Sequence, residues 1–474
     1  MLFNSIDFAI FFPLVYLAYW QLGRRAQNVL LLVASYVFYG WWDWRFLGLI
    51  AFSSALDYGV GLALADAESP RRRRALLAVS LLANLGLLGF FKYCNFFIDT
   101  AADALRLLGY EPSMHALAIV LPVGISFYTF QTLSYTIDLY RRQIPVERDA
   151  IAFFSFVAFF PQLVAGPIER AHHLLGQFSR DRHFDREAAA LACGQIAWGL
   201  CKKVVVADTL SGYVDAAYGN PAADGTALAL ATLYFAFQIY CDFSGYSDIA
   251  IGCARLFGFD LMRNFAFPYF SRDVGEFWRR WHISLSTWFR DYVFIPLGGS
   301  RVGPWKLLRN ALATFVLSGF WHGANLTFVA WGFLHAVLYA VSHRFVPKRR
   351  GTDVPGGEGA LPGARALVEM GVTFVVVCFA WIFFRADSLA HAFRVIGTIA
   401  TDTDLAGFFL VGDAKPRALI GALVAIEWWH RDCAHPFEAL RGHPFAERAL
   451  AYALVAALVL LGGTANAPFV YFQF

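Results

Sequence analysis

Runs of about 20 apolar residues recur along this chain from one end to the other, and that is the length an α-helix needs to cross a bilayer. Inside hydrocarbon every backbone N–H and C=O must find a partner within the protein, so such segments fold as helices. Of the 474 residues, 58% are hydrophobic, 17% aromatic and only 16% charged. A soluble domain carries about 25% charged residues. A disordered protein, a coiled coil and an ordinary soluble enzyme are thereby excluded. The expected fold is all-α, a polytopic transmembrane bundle of about 11–12 spans with re-entrant and interfacial helices.

Apolar windows fall at 6–22, 29–42, 46–65, 75–98, 117–140, 188–207, 227–251, 312–320, 326–341, 367–384, 419–429 and 450–461. Basic residues mark the cytoplasmic side of short loops. Arg24 with Arg25, Arg71 to Arg74, and Arg141 with Arg142 close alternate loops, which sets the N-terminus outside. The acid-biased segments 99–111 and 208–224 then fall outside as well. Parity makes the apolar piece 151–164, with Pro161 and Gly166–Pro167 at its end, re-entrant rather than crossing. Between Arg309 and Arg344 the chain must go in and come back, with its turn near Ser318 to Gly323 and His322 at that turn. The stretch 348–363, rich in Gly and Pro, reads as a cytoplasmic surface loop. No internal repeat is visible, and a single domain over 1–474 is expected.

Net charge is +4, without the basic excess of a nucleic-acid binder. Seven cysteines, most of them within apolar runs, suggest no disulfide framework. The first residues lack a basic n-region and a cleavage site, so the first apolar stretch is expected to remain as a helix.

Two constellations carry chemistry. In 277–292, Phe277, Trp281, Leu285, Trp288 and Phe289 recur at helical spacing with Arg279, Arg280 and Arg290 between them. One continuous amphipathic helix at the cytoplasmic interface is the plain structural reading. The functional reading is a mouth lined by His282, where Arg279, Arg280 or Lys306 pairs with the phosphates of coenzyme A or phosphopantetheine. The second constellation is GFWHGAN at 319–325. Two glycines flank a Trp-His pair and let backbone approach a ligand closely. A neutral imidazole there can take a proton from a hydroxyl and return it to a thiolate. A histidine bonded to a neighbouring helix carbonyl fits the same pattern. Asn325 is a candidate donor toward the developing oxyanion.

Other features point to structure. His172, His173, His430, Cys433, His435 and His443 have metal-binding chemistry at spacings that fit no zinc template. Lys202, Lys203, Asp242 and Asp248 would each cost about 2.5–3.5 kcal/mol in a membrane if unpaired, so pairing inside the bundle is expected. There is no GxSxG elbow, P-loop or dinucleotide turn, and neither His322 nor His282 has an Asp five residues on.

The strings LPVGISFYTFQ (121–131), PQLVAGPI (161–168), YCDFSGYSDIAIG (240–252), FWRRWHISLSTWFRDYVFIPLGG (277–299) and FWHGA (320–324), with YFQF at 471–474, resemble the membrane-bound O-acyltransferase family in its bacterial alginate O-acetyltransferase branch. The likeness runs through most of the chain, with the signature core at about 121–345. It implies a ring of helices around a tunnel, His322 as the central catalytic residue and His282 as the second signature position. It implies an acyl (acetyl) thioester donor, acetyl-CoA or another phosphopantetheine thioester, with no bound cofactor and no metal. The acceptor would be an extracytoplasmic hydroxyl, reached through an acetyl-transfer partner protein and ending on an exopolysaccharide such as alginate. A bacterial inner membrane is the implied location, with membrane lipid around the chain and no nucleic-acid partner. Peptidoglycan O-acetylation and teichoic-acid D-alanylation are alternatives within the family. A transporter or polymer-export channel is a more distant one, and would predict two related halves.

Overall fold

Glycine, proline and buried polar side chains decide where this chain's helices break and how closely they pack. The computed structural model describes residues 1–110, 117, 119–346, 361–404, 408, 413–462 and 469–470. Regular structure among the described residues is helical throughout, with no strand. Among the described residues, seven helices are long and apolar enough to cross a membrane: Trp44–Ala65, Pro70–Leu107, Arg186–Tyr218, Gly225–Leu256, Leu326–Phe345, Ala364–Arg385 and Pro444–Leu461. Two shorter apolar segments, Ile6–Tyr19 and Ala150–Leu163, accompany them. The twelve apolar windows thus exceed the number of long spanning helices. Windows 29–42 and 419–429, for example, sit on helices of 17 and 16 residues, Arg24–Gly40 and Ala414–Trp429, whose first turns carry Arg24 and Lys415. The protein is an integral, multi-pass membrane protein.

The chain groups into two compact units. The first comprises Met1–Ala192 with Cys253–Met262. Its core holds a fully buried carboxylate, Asp57, which accepts from Ser80 Oγ (2.5 Å), Asn84 Nδ2 (2.9 Å) and Thr136 Oγ1 (3.2 Å). Two neighbouring helices, Pro70–Leu88 and Ile125–Tyr140, thus supply donors to one acid on a third, Leu47–Ala65, as burial of a charged group requires. The expected re-entrant piece is a broken helix, Ala150–Ala158 and Phe160–Leu163, with Phe159 at the break in a non-helical conformation. Phe153, Phe156, Phe159 and Phe160 are all fully buried, so this irregular backbone is enclosed by protein. Further along the same unit, Glu169 accepts from the backbone N–H of Met262, and His173 lies between Glu169 (2.8 Å) and Asp260 (3.5 Å). That clasp ties the 166–178 segment to the 253–262 segment.

The second unit comprises Cys193–Gly252 and Arg263–Phe474. Its ion pairs answer the expectation for the intramembrane charges. Lys202 meets Asp248 at 2.6 Å, while Lys203 lies 2.6 Å from Asp208 and 2.7 Å from Asp242. The backbone N–H of Val470 adds a 2.8 Å bond to Asp242. The YFQF string and most of the 348–363 loop lie outside the described residues.

Candidate active site

His322 stands at the C-terminal end of the helix Pro304–His322, and the chain turns through Gly323 to Asn325 into the helix Leu326–Phe345. The expected hairpin is present, with its turn a few residues later than the sequence indicated. Glycine is what lets the two arms approach. A Cβ at Gly319 would sit 2.1 Å from the Phe328 carbonyl oxygen, and one at Gly332 would sit 2.3 Å from that of Phe315. Only a hydrogen fits at those crossings. Asn325 closes the turn by capping the second arm: its Oδ1 accepts from Thr327 N at 3.0 Å, and its Nδ2 donates to the Asp387 carbonyl at 3.0 Å. Both ends of its amide are thus engaged in structure.

The His322 side chain is 4% exposed. Its ring lies 4.9 Å from Trp321, 5.3 Å from Trp331 and 5.2 Å from Phe384, each in an edge-on arrangement. Trp321 also touches His282, at 5.9 Å. One indole therefore joins the two histidines that the sequence singled out, although 40 positions separate them in the chain.

His282 requires a correction to the sequence reading. The 277–289 stretch is not one amphipathic helix but two short ones, Val274–Arg280 and Ile283–Phe289, with a sharp turn at Trp281–His282. His282 adopts a left-handed backbone, φ 43°, which is uncommon for a non-glycine residue. Asn264 holds it there. The Asn264 carbonyl accepts from Ile283 N at 2.8 Å. Its side-chain Oδ1 faces His282 Nδ1 at 3.0 Å and Ser284 Oγ at 2.9 Å, and accepts from Ser284 N at 3.4 Å. Because a backbone N–H can only donate, Oδ1 is the acceptor, so the His282 proton resides on Nδ1 and the lone pair on Nε2. Asn264 Nδ2 in turn donates to Ser247 Oγ on the helix Gly225–Leu256. Burial holds the His282 imidazole down at about 3, so it is neutral at physiological pH. Phe243 packs edge-on against it at 4.6 Å.

The cationic candidates separate by environment. Arg280 is fully buried and donates to Glu276 (2.8 Å) and to the Ala266 carbonyl (3.0 Å). Burial would raise the Glu276 carboxyl, but hydrogen bonds from Arg272 and Arg280 outweigh this and hold it at about 2. Arg280 therefore serves this fold's interior charge balance. Arg279 is half-buried beside Gly275, and Lys306 is exposed. Among the described residues no group of His, Cys, Asp or Glu could hold a metal ion.

Three residues near His322 were missed in the sequence. Trp331 and His335 are both fully buried and in ring contact at 4.8 Å. Trp278 donates its indole N–H to His335 Nδ1 at 3.2 Å. A single histidine within an apolar helix gave no signal beyond its spacing from Trp331. Asn264, outside any motif of metal or acid–base type, was likewise invisible.

This geometry meets its relatives in sequence. The probable alginate O-acetylase of Pseudomonas aeruginosa is 41% identical over 399 residues, covering 83% of this chain and 74% of that one. The probable alginate O-acetylase of Pseudomonas putida is 41% identical over 405 residues, covering 84% and 80%. The peptidoglycan O-acetyltransferase of Helicobacter pylori is 34% identical over 429 residues, covering 84% and 79%. Residues 141–347, which include Asn264, His282, His322 and His335, match the model of the membrane-bound O-acyltransferase family. With relatives of that identity along most of its length, and with a buried histidine pair joined through Trp321, the chain belongs to the membrane-bound O-acyltransferase family and is an acyltransferase.

Proposed function

We propose that this protein transfers an acetyl group from a cytoplasmic thioester to an extracytoplasmic hydroxyl, in the O-acetylation of an alginate-type exopolysaccharide at a bacterial inner membrane. The observation that carries this reading is the position of His322. It ends one arm of a hairpin, with its ring enclosed by Trp321, Trp331 and Phe384 and a second histidine on the far edge of Trp321. Relatives at about 40% identity are probable alginate O-acetylases, which supports the acetyl group and the polymer in this reading.

In this reading His322 takes the proton of the acceptor hydroxyl as its oxygen attacks the thioester carbonyl. A C–O bond forms, the carbonyl electrons move to oxygen, and the C–S bond breaks as they return. The leaving thiolate recovers the proton from His322. Acid–base help of this kind contributes about 10²–10⁴ in rate. His282, neutral and with its lone pair on Nε2, orients the acceptor or the imidazole across Trp321. The donor is acetyl-CoA or another phosphopantetheine thioester. Its phosphates stay at the surface, where Arg279 and Lys306 are candidates to pair with them, because phosphate cannot enter hydrocarbon cheaply. The acceptor hydroxyl is presented by a partner protein that passes the group to the polymer.

The test is His322→Ala in the producing cell. Polymer acetylation should be abolished while the amount of protein in the membrane stays as in wild type. Wild-type acetylation by the variant would overturn the reading. Acetyl appearing on peptidoglycan, with the exopolysaccharide unmodified, would reassign the cargo and keep the chemistry.

A further inference from the structure

Along the helix Leu326–Phe345, Trp331 and His335 are four residues apart, so their side chains share one face about 6 Å apart along the axis. Both are fully buried. Neither Trp331 Nε1 nor His335 Nε2 has a hydrogen-bond partner among the described residues. Trp278 donates to His335 Nδ1, which makes that nitrogen the acceptor and puts the ring proton on Nε2. Two N–H donors, one turn apart, are therefore held in the interior without an acceptor. A buried donor left unsatisfied destabilises the fold, and phenylalanine at either position would avoid that. The end of this row is His322, whose ring touches Trp331 at 5.3 Å.

We propose that this face of the helix receives the acyl-bearing end of the donor, with the Trp331 N–H donating to the thioester carbonyl oxygen and the His335 Nε2–H donating to the first amide carbonyl of a phosphopantetheine arm. The spacing suits such an arm, which carries an amide a short methylene spacer beyond its sulfur. The inference rests on the thioester reading above and adds the residues that recognise the donor. In the transfer step His322 removes the hydroxyl proton, the new C–O bond forms, and the carbonyl electron pair moves onto the oxygen facing Trp331. As that pair returns, C–S breaks and the sulfur takes the proton from His322. The Trp331 N–H strengthens its bond while the oxygen is anionic.

The experiment uses membranes carrying the full-length protein and two short donors. S-acetyl-N-acetylcysteamine contains the amide, and S-pentyl thioacetate has the same chain length without it. Thiol release coupled to polymer acetylation gives kcat and KM for each. Wild type should favour the amide donor in kcat/KM by roughly threefold to tenfold, the worth of one neutral hydrogen bond. His335→Phe should bring that ratio close to one, and His335→Gln, which keeps an N–H donor, should retain it. Trp331→Phe should lower kcat by about 10²–10³ on both donors with little change in KM, as loss of an oxyanion donor does. A wild-type ratio of one, equal losses on both donors in His335→Phe, or an unchanged kcat in Trp331→Phe would each overturn the proposal. Failure of wild type to turn over any thioester would instead overturn the underlying reading.

Discussion

Asn264 Oδ1 faces His282 Nδ1 at 3.0 Å while accepting from the backbone N–H of Ser284, so one amide sets both the tautomer of this imidazole and the turn that carries it. Asn264→Asp keeps the shape and puts a carboxylate against the ring. An opposite charge nearby favours the imidazolium, so the His282 pKa should climb from about 3 toward the physiological range. If neutral His282 is needed, the variant's kcat/KM should fall relative to wild type as pH drops from about 8 to about 5. Loss of one acid–base group is worth about 10²–10⁴, so the ratio should widen at least tenfold. Profiles that stay parallel over that range would separate His282 from the chemistry.

The hairpin crossing should be intolerant of a single methyl group. Gly319→Ala and Gly332→Ala drive a Cβ into the Phe328 and Phe315 carbonyl oxygens, and those oxygens belong to backbone that cannot rotate away. Overpacking of this kind costs about 1–3 kcal/mol. Both variants should melt at lower temperature in detergent and lose activity, because the shift falls on the arm that ends at His322. Gly371→Ala is the control: it lies in the helix Ala364–Arg385 with nothing within 4 Å of the added carbon. Its melting temperature should hold or rise, since alanine is the better helix former.

What the sequence disclosed follows from the range of the interactions involved. The hairpin was legible because Arg309 and Arg344 fix parity and the glycines around His322 advertise a close approach. The broken helix at Phe159 was legible from the same charge bookkeeping and from Pro161. The break at His282 was not, because the periodicity of Phe277, Trp281, Leu285 and Trp288 is unbroken. The turn is imposed by Asn264, 18 positions earlier, and local spacing carries no trace of that bond. Arg280 read as a solvent-facing cation, although Glu276 stood four residues before it, at the spacing of a helical ion pair. His335 could not be told from a packed side chain until Trp278 was seen to fix its ring. Apolar windows likewise report hydrophobicity and not length, which is why windows such as 29–42 mark shorter helices.

The clasp of the first unit should make its stability depend on alkaline pH. Hydrogen bonds to Asp260 and Glu169 raise His173 to about 10, well above its ordinary 6.5, against an opposing contribution from burial. Burial pushes Glu169 upward and the His173 contact pulls it back, while the same contact lowers Asp260. A raised histidine stabilises the fold fully below its unfolded pKa, and that contribution fades as pH rises through the folded one. Wild type should therefore lose thermal stability between about pH 6.5 and about pH 10 more steeply than His173→Gln. Equal slopes for the two proteins would show that the clasp carries no net charge interaction.

Lys203 offers the sharpest test of how the second unit holds its charges. It is almost fully buried between Asp208 and Asp242, at 2.6 and 2.7 Å, and Asp242 also anchors the backbone N–H of Val470. Lys203→Met removes the cation and leaves two acids facing each other in the interior. Breaking a buried pair by deleting one partner costs about 3–5 kcal/mol, so this variant should lose most of its folded population in detergent. Replacing the acids as well, in Lys203→Met with Asp208→Asn and Asp242→Asn, removes the stranded charge and should recover a large part of that loss. The recovery discriminates between two sources of the damage. If the triple variant is as unstable as Lys203→Met alone, the lysine contributes through its other contacts, among them the Phe469 ring whose centroid lies 4.5 Å from Nζ, and not through the ion pairs.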